Sequence, residues 1–144
     1  MPAYVNPFGI FVPMLVVVLL TFIAFIRMAS ARGAAVKAGH DPAYYRAQLG
    51  PPEPEATVVA VRHYHNLFEL PVLFYAACLT AFALQAVSGW TLAFAWAYVA
   101  ARLVQSAIHL TYNNPSHRGG AFVVGVLFML ALWVNLALAI FAQV

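Results

Sequence analysis

The sequence has 144 residues, of which 65% are hydrophobic and only 8% are charged. A soluble domain is about half apolar and about a quarter charged, so this composition excludes a soluble globular domain and makes lipid the solvent for much of the chain. The net charge of +3, without a dense basic run, excludes a nucleic-acid-binding protein, and the single cysteine, Cys78, excludes an intrachain disulfide.

Four apolar segments follow in chain order, at about residues 8–28, 57–87, 90–112 and 120–143. Each is long enough for an α-helix to cross roughly 30 Å of hydrocarbon, which takes about 20 residues. None alternates as a membrane strand would, and only helices or closed barrels satisfy the backbone in lipid. We therefore predict an all-α fold, in which residues 1–144 form one domain, an integral membrane four-helix bundle.

The connections between the segments predict the topology. The first, at about residues 29–56, is polar and holds Arg32, Lys37 and Arg46; the second is a tight turn at Ser88 and Gly89; the third is short and polar. Positively charged loops stay in the cytoplasm, so the first and third connections are predicted to lie there and both termini on the other side. The alanine-rich character favours a bacterial inner membrane.

The second segment begins with a polar stretch, RHYHNLFE. Arg62, Asn66 and Glu69 are spaced i, i+4 and i+7, so on a continuous helix they share one face. His65 lies beside them, four residues before Glu69. This segment is therefore predicted to carry a polar face inside the membrane.

The third segment repeats the pattern near its end. One helical stripe holds Arg102, Gln105, Ser106, His109 and Tyr112, and Arg118 is predicted just past the helix end. In the predicted topology Glu69 and Arg102 each lie about 15–20 Å from the cytoplasmic helix ends. A lipid-facing arginine costs at least ~2.5–3.5 kcal/mol, so we expect these residues to face protein or a water-filled cavity.

Two interpretations of this polar face stay open at this point. The first is an interhelical ion-pair network of Arg62, Glu69 and Arg102 that stabilises the bundle. The second is a ligand site, because the three arginines Arg62, Arg102 and Arg118 outnumber the one carboxylate and leave two positive charges. That excess favours an anionic ligand with carboxylates or phosphates that match the guanidinium fork.

The histidines carry a weaker signal. His109 on the third helix is able to face His63 or His65 on the second, so bis-histidine haem ligation is conceivable, but the pattern is weak. No His, Asp and Glu cluster has metal-ligand spacing, and no Ser-His-acid set is visible. The sequence therefore predicts no metal site.

With these residues in view, the sequence resembles the MAPEG family, the membrane-associated proteins of eicosanoid and glutathione metabolism. The resemblance covers nearly the whole chain. It rests on the second-helix pattern R-x-x-x-N-x-x-E, here Arg62, Asn66 and Glu69, and on the arginines Arg102 and, within NNPSHRGGAF, Arg118.

The resemblance implies a homotrimer that binds glutathione between neighbouring subunits near the cytoplasmic side, with a lipophilic second substrate entering from the bilayer. Arg62 and Arg102 then bind or support the carboxylates, and Asn66 and Glu69 bind the amides and the amine. Arg118 stabilises the thiolate, the nucleophile that attacks an electrophile. The remaining candidate glutathione contacts on the polar face are His65, Gln105, His109 and Tyr112.

Several positions depart from the family pattern. Gln105 and His109 replace histidine and tyrosine, Leu70 replaces a tyrosine after the glutamate, and the hydroxyl side chains expected at Gly119 and Phe122 are missing. These departures argue against prostaglandin isomerase chemistry and against tight glutathione binding. The sequence favours a glutathione-dependent transferase or peroxidase. The alternative is a non-catalytic trimer that binds a lipid or a protein partner; a multidrug exporter is disfavoured because the first helix has no acidic residue.

Overall fold

The computed structural model describes residues 5–142, and these residues fold into helices. The elements are a 3-10 helix, Pro7–Ile10, followed by α1 (Phe11–Lys37), α2 (Tyr44–Ala47), α3 (Glu55–Asn66), α4 (Leu70–Ala83), α5 (Gly89–Leu110) and α6 (Pro115–Phe141). The prediction of an all-α fold is confirmed. Gln143, the predicted end of the fourth helix, lies outside the described residues.

Four stretches of the described chain are long and apolar enough to cross a membrane: Pro7–Lys37, Glu55–Ala83, Gly89–Leu110 and Pro115–Phe141. They match the four predicted segments, and they are what an integral, multi-pass membrane protein requires. Two names are used below for the ends of this bundle. The polar end is where α1 and α5 end and α3 and α6 begin; the turn end holds the α4–α5 turn.

The first predicted loop is too long, because α1 continues well past residue 28. The stretch that follows, ASARGAAVK, is rich in alanine, the best helix former, and its charges do not stop a helix. The helix ends at Lys37, and Gly39 then adopts a φ of +102°, a backbone conformation that glycine reaches without a steric penalty. The true connection spans residues 38–54 and contains the single turn of α2.

The prediction of one continuous second helix over residues 57–87 is wrong. The span is broken between Asn66 and Leu70, and its second half ends at Ala83. Pro71 accounts for the break, because proline has no backbone N–H and its ring clashes with the carbonyl four residues earlier, that of Leu67. Glu69 lies in the break with φ −88° and ψ −92°, so it does not continue the face that Arg62 and Asn66 share.

The prediction that Arg118 lies in a connection is also wrong. The last helix begins at Pro115, not near residue 120, and the Asn114 side chain caps it by accepting from the amides of Ser116 at 3.0 Å and His117 at 3.1 Å. Asparagine at the cap with proline at the first helical position is a strong start signal. Arg118 therefore lies in the first turn of α6.

Buried apolar side chains from α1, α4, α5 and α6 form the main core. Phe74 on α4 stacks on Tyr98 on α5 with ring centroids 4.7 Å apart, and Val17 and Leu132 are fully buried beside them. Large apolar side chains also remain exposed along α1, α4 and α6, as expected for helices that face lipid. This core fixes α5, and α5 in turn positions the polar side chains of the candidate site.

Candidate functional site

Arg102 is the most deeply buried charged residue of the candidate site, with 2% of its surface exposed. Its guanidinium donates to the side-chain oxygen of Gln105, one turn further along α5, and to the backbone carbonyl of Asn66 at 2.8 Å. Asn66 is the last residue of α3, so its carbonyl is among those that a helix leaves without an intrahelical partner. The break before Pro71 therefore provides the acceptor that holds Arg102.

The interhelical ion-pair network of Arg62, Glu69 and Arg102, which was one interpretation of the sequence, is not present among the described residues. Among residues 5–142 one ion pair occurs, between Arg32 and Glu53 at 3.1 Å, in the region of the first connection. Arg62 and Glu69 are both exposed on the surface of the chain. Their charges are thus available to another group.

The other candidates divide by burial. Gln105 and His109 are buried on α5 with Arg102, and Asn66 is half-buried. His65 and Tyr112 are exposed, and the Tyr112 hydroxyl lies 3.2 Å from Nδ1 of His117. Arg102, Gln105 and His109 therefore point into the protein, whereas most of the α3 candidates point out of it. The prediction that Tyr112 continues this helical stripe is wrong, because α5 ends at Leu110.

Arg118 is half-buried and hydrogen-bonded within its own region. It donates to the side-chain oxygen of Asn113 at 2.7 Å, and Asn113 has a positive φ of 44° in the short connection between α5 and α6. Asparagine tolerates this conformation better than most residues. Asn113 thus orients the guanidinium of Arg118, a role that the sequence analysis missed, since no spacing rule marks a loop asparagine.

His63 is a second residue that the sequence analysis left out of the site. It is 3% exposed on α3 and packs edge-to-face against His109 on α5, with ring centroids 5.3 Å apart. Within residues 5–142 no ring nitrogen of either histidine has a hydrogen-bond partner. Buried polar groups nearly always have a hydrogen-bond partner. The two histidines therefore indicate that the polar end is a place where a ligand or another protein surface could supply one.

A polar cavity of about 390 Å³ opens at the polar end between α1, α3 and α5. Its lining comprises Arg27, Glu55, Ala56, Val59, Ala60, His109, Leu110, Thr111 and Asn113. His109 and Asn113 connect it to the candidate site, because one packs on His63 and the other holds Arg118. No group of three or more metal-ligating side chains is present among the described residues.

An apolar groove of about 440 Å³ lies between α1, the end of α3 and α4. Its lining comprises Val18, Thr21, Phe22, Phe25, Tyr64, Leu67, Phe68, Val72 and Tyr75. Leu67 and Phe68 are in the break of the second span, directly between Asn66 and Glu69 in sequence. The groove therefore borders the exposed polar residues of the candidate site.

Comparison with known proteins identifies one family. The model of the MAPEG family matches residues 10–138, which is most of the chain. No curated protein and no solved structure matches.

Proposed function

The chain belongs to the MAPEG family, and from this premise we propose that it is a glutathione-dependent membrane transferase or peroxidase acting on lipophilic electrophiles. One observation carries the proposal: Arg62 and Glu69 lie exposed within a membrane-spanning segment. Each such charge facing lipid costs about 2.5–3.5 kcal/mol or more. Another surface and a polar ligand that covers these charges remove that cost.

The covering surface, in our proposal, belongs to neighbouring copies in a homotrimer. Arg62, Glu69 and Arg102 line neither the polar cavity nor the apolar groove described above. A binding site formed by these residues therefore needs a second protein surface to enclose the ligand. Glutathione, held between subunits near the cytoplasm, supplies the anionic charge that the excess of arginine requires.

Each side chain of the proposed glutathione site then has its own role. The exposed Arg62 binds a carboxylate of glutathione, and Glu69 and Asn66 bind its amine and amides. Arg102 acts as a support, since Gln105 and the Asn66 carbonyl already occupy its guanidinium. Arg118, oriented by Asn113, stabilises the thiolate form of the sulfur by its positive charge.

The second substrate enters from the bilayer in this proposal. The apolar groove beside Leu67 and Phe68 is wide enough for a small lipophilic molecule and borders Glu69. The remaining contacts from the polar face, His65, Gln105, His109 and Tyr112, complete the proposed glutathione site. The cytoplasm lies at the polar end, with both termini on the opposite side of a bacterial inner membrane.

A second candidate is a non-catalytic trimer that binds a lipid or a protein partner. It is favoured by the lack of a hydroxyl at Gly119 and Phe122 and by the hydrogen bond that already engages Arg118. In that case glutathione neither binds nor stabilises the protein.

Conjugation of glutathione to chlorodinitrobenzene by the purified protein tests the proposal. We expect activity that falls by about a hundredfold in Arg118→Ala, because one fixed charge at the developing anion contributes on the order of 10² to 10³ in rate. Arg46→Ala, an exposed arginine in the first connection, is the matched control and retains activity. A protein that does not bind glutathione favours the non-catalytic alternative, and an Arg118→Ala variant with full activity removes that residue from the mechanism.

A further inference from the structure

The polar cavity between α1, α3 and α5 contains two charged groups that the proposed function does not use, Arg27 and Glu55, together with His109, which both sites share. Arg27 comes from α1, Glu55 from the start of α3, and His109 from the end of α5. All three lie at the polar end, where water reaches the protein in the proposed topology. The volume of about 390 Å³ is in the range of small-molecule sites.

Arg27 and Glu55 carry opposite charges but do not pair with each other. The one ion pair among residues 5–142 joins Arg32 and Glu53, so neither Arg27 nor Glu55 has an opposite charge within 4 Å. Both side chains are exposed, so they are free to meet a ligand. One cavity therefore offers a positive and a negative group at the same time.

Two helix ends of opposite polarity meet in the same cavity. Its lining includes Glu55 and Ala56 in the first turn of α3, and no side chain caps this turn, since Pro54 is at the cap position. It also includes Leu110 and Thr111, at the end of α5. A helix start attracts negative charge and a helix end attracts positive charge, each by about 0.3–1 kcal/mol.

His109 supplies an independent sign that a ligand belongs here. It lines the cavity, only 2% of its surface is exposed, and neither ring nitrogen has a hydrogen-bond partner within residues 5–142. Leaving a buried polar group unpaired costs about 1–3 kcal/mol. A polar ligand in the cavity removes that cost.

We propose that this cavity binds the α-amino-carboxylate group of an amino acid or of a short peptide. The carboxylate meets Arg27 and the uncapped start of α3, the ammonium meets Glu55 and the end of α5, and a polar atom of the ligand reaches His109. The same chemistry occurs in a free amino acid and at the γ-glutamyl end of glutathione. The inference goes beyond the proposed function, because the cavity lies within one subunit and neither Arg27 nor Glu55 belongs to the proposed glutathione site.

Isothermal titration in phosphatidylcholine nanodiscs tests the inference, with L-glutamine and glutathione as probes and their N-acetyl derivatives as ligands without an ammonium. We expect saturable binding of at least one probe, and at least a roughly tenfold loss on N-acetylation and in both Arg27→Gln and Glu55→Gln. Arg46→Gln is the matched control and should bind within about twofold of the unaltered protein. Binding of glutamine assigns the site to free amino acids, and binding of glutathione alone assigns it to the peptide.

Three outcomes overturn the inference: no saturable binding up to about 10 mM of either probe, equal binding of the N-acetyl derivatives, or unchanged binding in both variants. Glu55→Gln alters an exposed side chain, so it is not expected to prevent folding. Its behaviour also separates this inference from the proposed function. Glutamine binding without any conjugation supports the cavity and rejects the enzyme, whereas conjugation without a Glu55-dependent site rejects the cavity alone.

Discussion

Buried polar side chains occur at both ends of the bundle, but their hydrogen bonding differs. At the turn end, Ser88 and Thr91 cap α5 reciprocally, with Thr91 N–H to Ser88 Oγ at 3.2 Å and Ser88 N–H to Thr91 Oγ1 at 3.1 Å. Asn135 of α6 donates to the same Thr91 oxygen at 2.9 Å. At the polar end, His63 and His109 are as deeply buried as Thr91, yet their nitrogens have no partner within residues 5–142.

This difference distinguishes polar side chains that stabilise the fold from polar side chains that are available for function. A fully hydrogen-bonded network stabilises the fold, since each of its groups would cost free energy if its partner were lost. Groups that are buried without partners lower stability, and proteins retain them where a ligand or a catalytic step uses them. The turn end therefore holds α5 against α6, and the polar end is where binding is expected.

The largest expected effect tests Arg102, a buried group of the polar end that has hydrogen-bond partners. Arg102→Ala leaves the Asn66 carbonyl and the Gln105 side chain buried without their donor, and we expect a loss of about 2–4 kcal/mol in the free energy of unfolding. Denaturation by SDS in mixed micelles, followed by circular dichroism, measures it. Arg46→Ala is the control; equal stability of the two variants would mean that Arg102 is not held as described.

A smaller loss is expected at the turn end. Thr91→Val keeps the shape of the side chain but removes the oxygen that Ser88 and Asn135 use, so we expect a loss of about 2 kcal/mol in the same assay. Under the proposed function, glutathione binding should not change in this variant, because the polar end is untouched. A variant that is fully stable but no longer binds would reverse the assignment of the two ends.

Ser88→Ala removes only the helix cap and leaves the Asn135 bond in place. We expect a loss of about 1 kcal/mol, which is typical of a helix N-cap. The double variant Ser88→Ala/Thr91→Val should lose less than the sum of the two single losses, because both residues belong to one network. Full additivity would contradict the network.

The smallest change in stability is expected at His63, although it is 3% exposed. His63→Leu replaces unpaired ring nitrogens by an apolar group of similar size, so we expect the free energy of unfolding to stay within about 0.5 kcal/mol or to rise. The same denaturation assay measures it. A loss of more than about 2 kcal/mol would show that the ring has a structural partner, and the contrast between the two ends would then fail.

The four spans could be predicted from the sequence because length and apolar composition alone determine whether a helix crosses a membrane. The break before Pro71 was not predicted because the apolar residues around it were assigned to one membrane-spanning segment. Pro71 itself gave the physical reason for a break, since proline interrupts a helix. Asn114 and Pro115 are likewise a signal for the start of α6, but that stretch was assigned to a loop because it is polar.

Less of the candidate site could be predicted. The α5 stripe of Arg102, Gln105 and His109 follows from helical periodicity, and the structure buries it together. The bond from Arg102 to the Asn66 carbonyl could not be read, since it uses a backbone atom that becomes available only where α3 ends. The contact of His63 with His109 depends on how α3 and α5 are rotated, which no single-helix pattern determines.

The interruption of the second span gives its two halves separate anchors. α4 is locked by Phe74 in the apolar core, whereas the end of α3 is tied to α5 by the Arg102 guanidinium on the Asn66 carbonyl. We expect a ligand that competes for that guanidinium to release the end of α3 from α5 and to leave α4 in place. Because the break separates the two halves, we expect any rearrangement on binding to be limited to the 12 residues of α3.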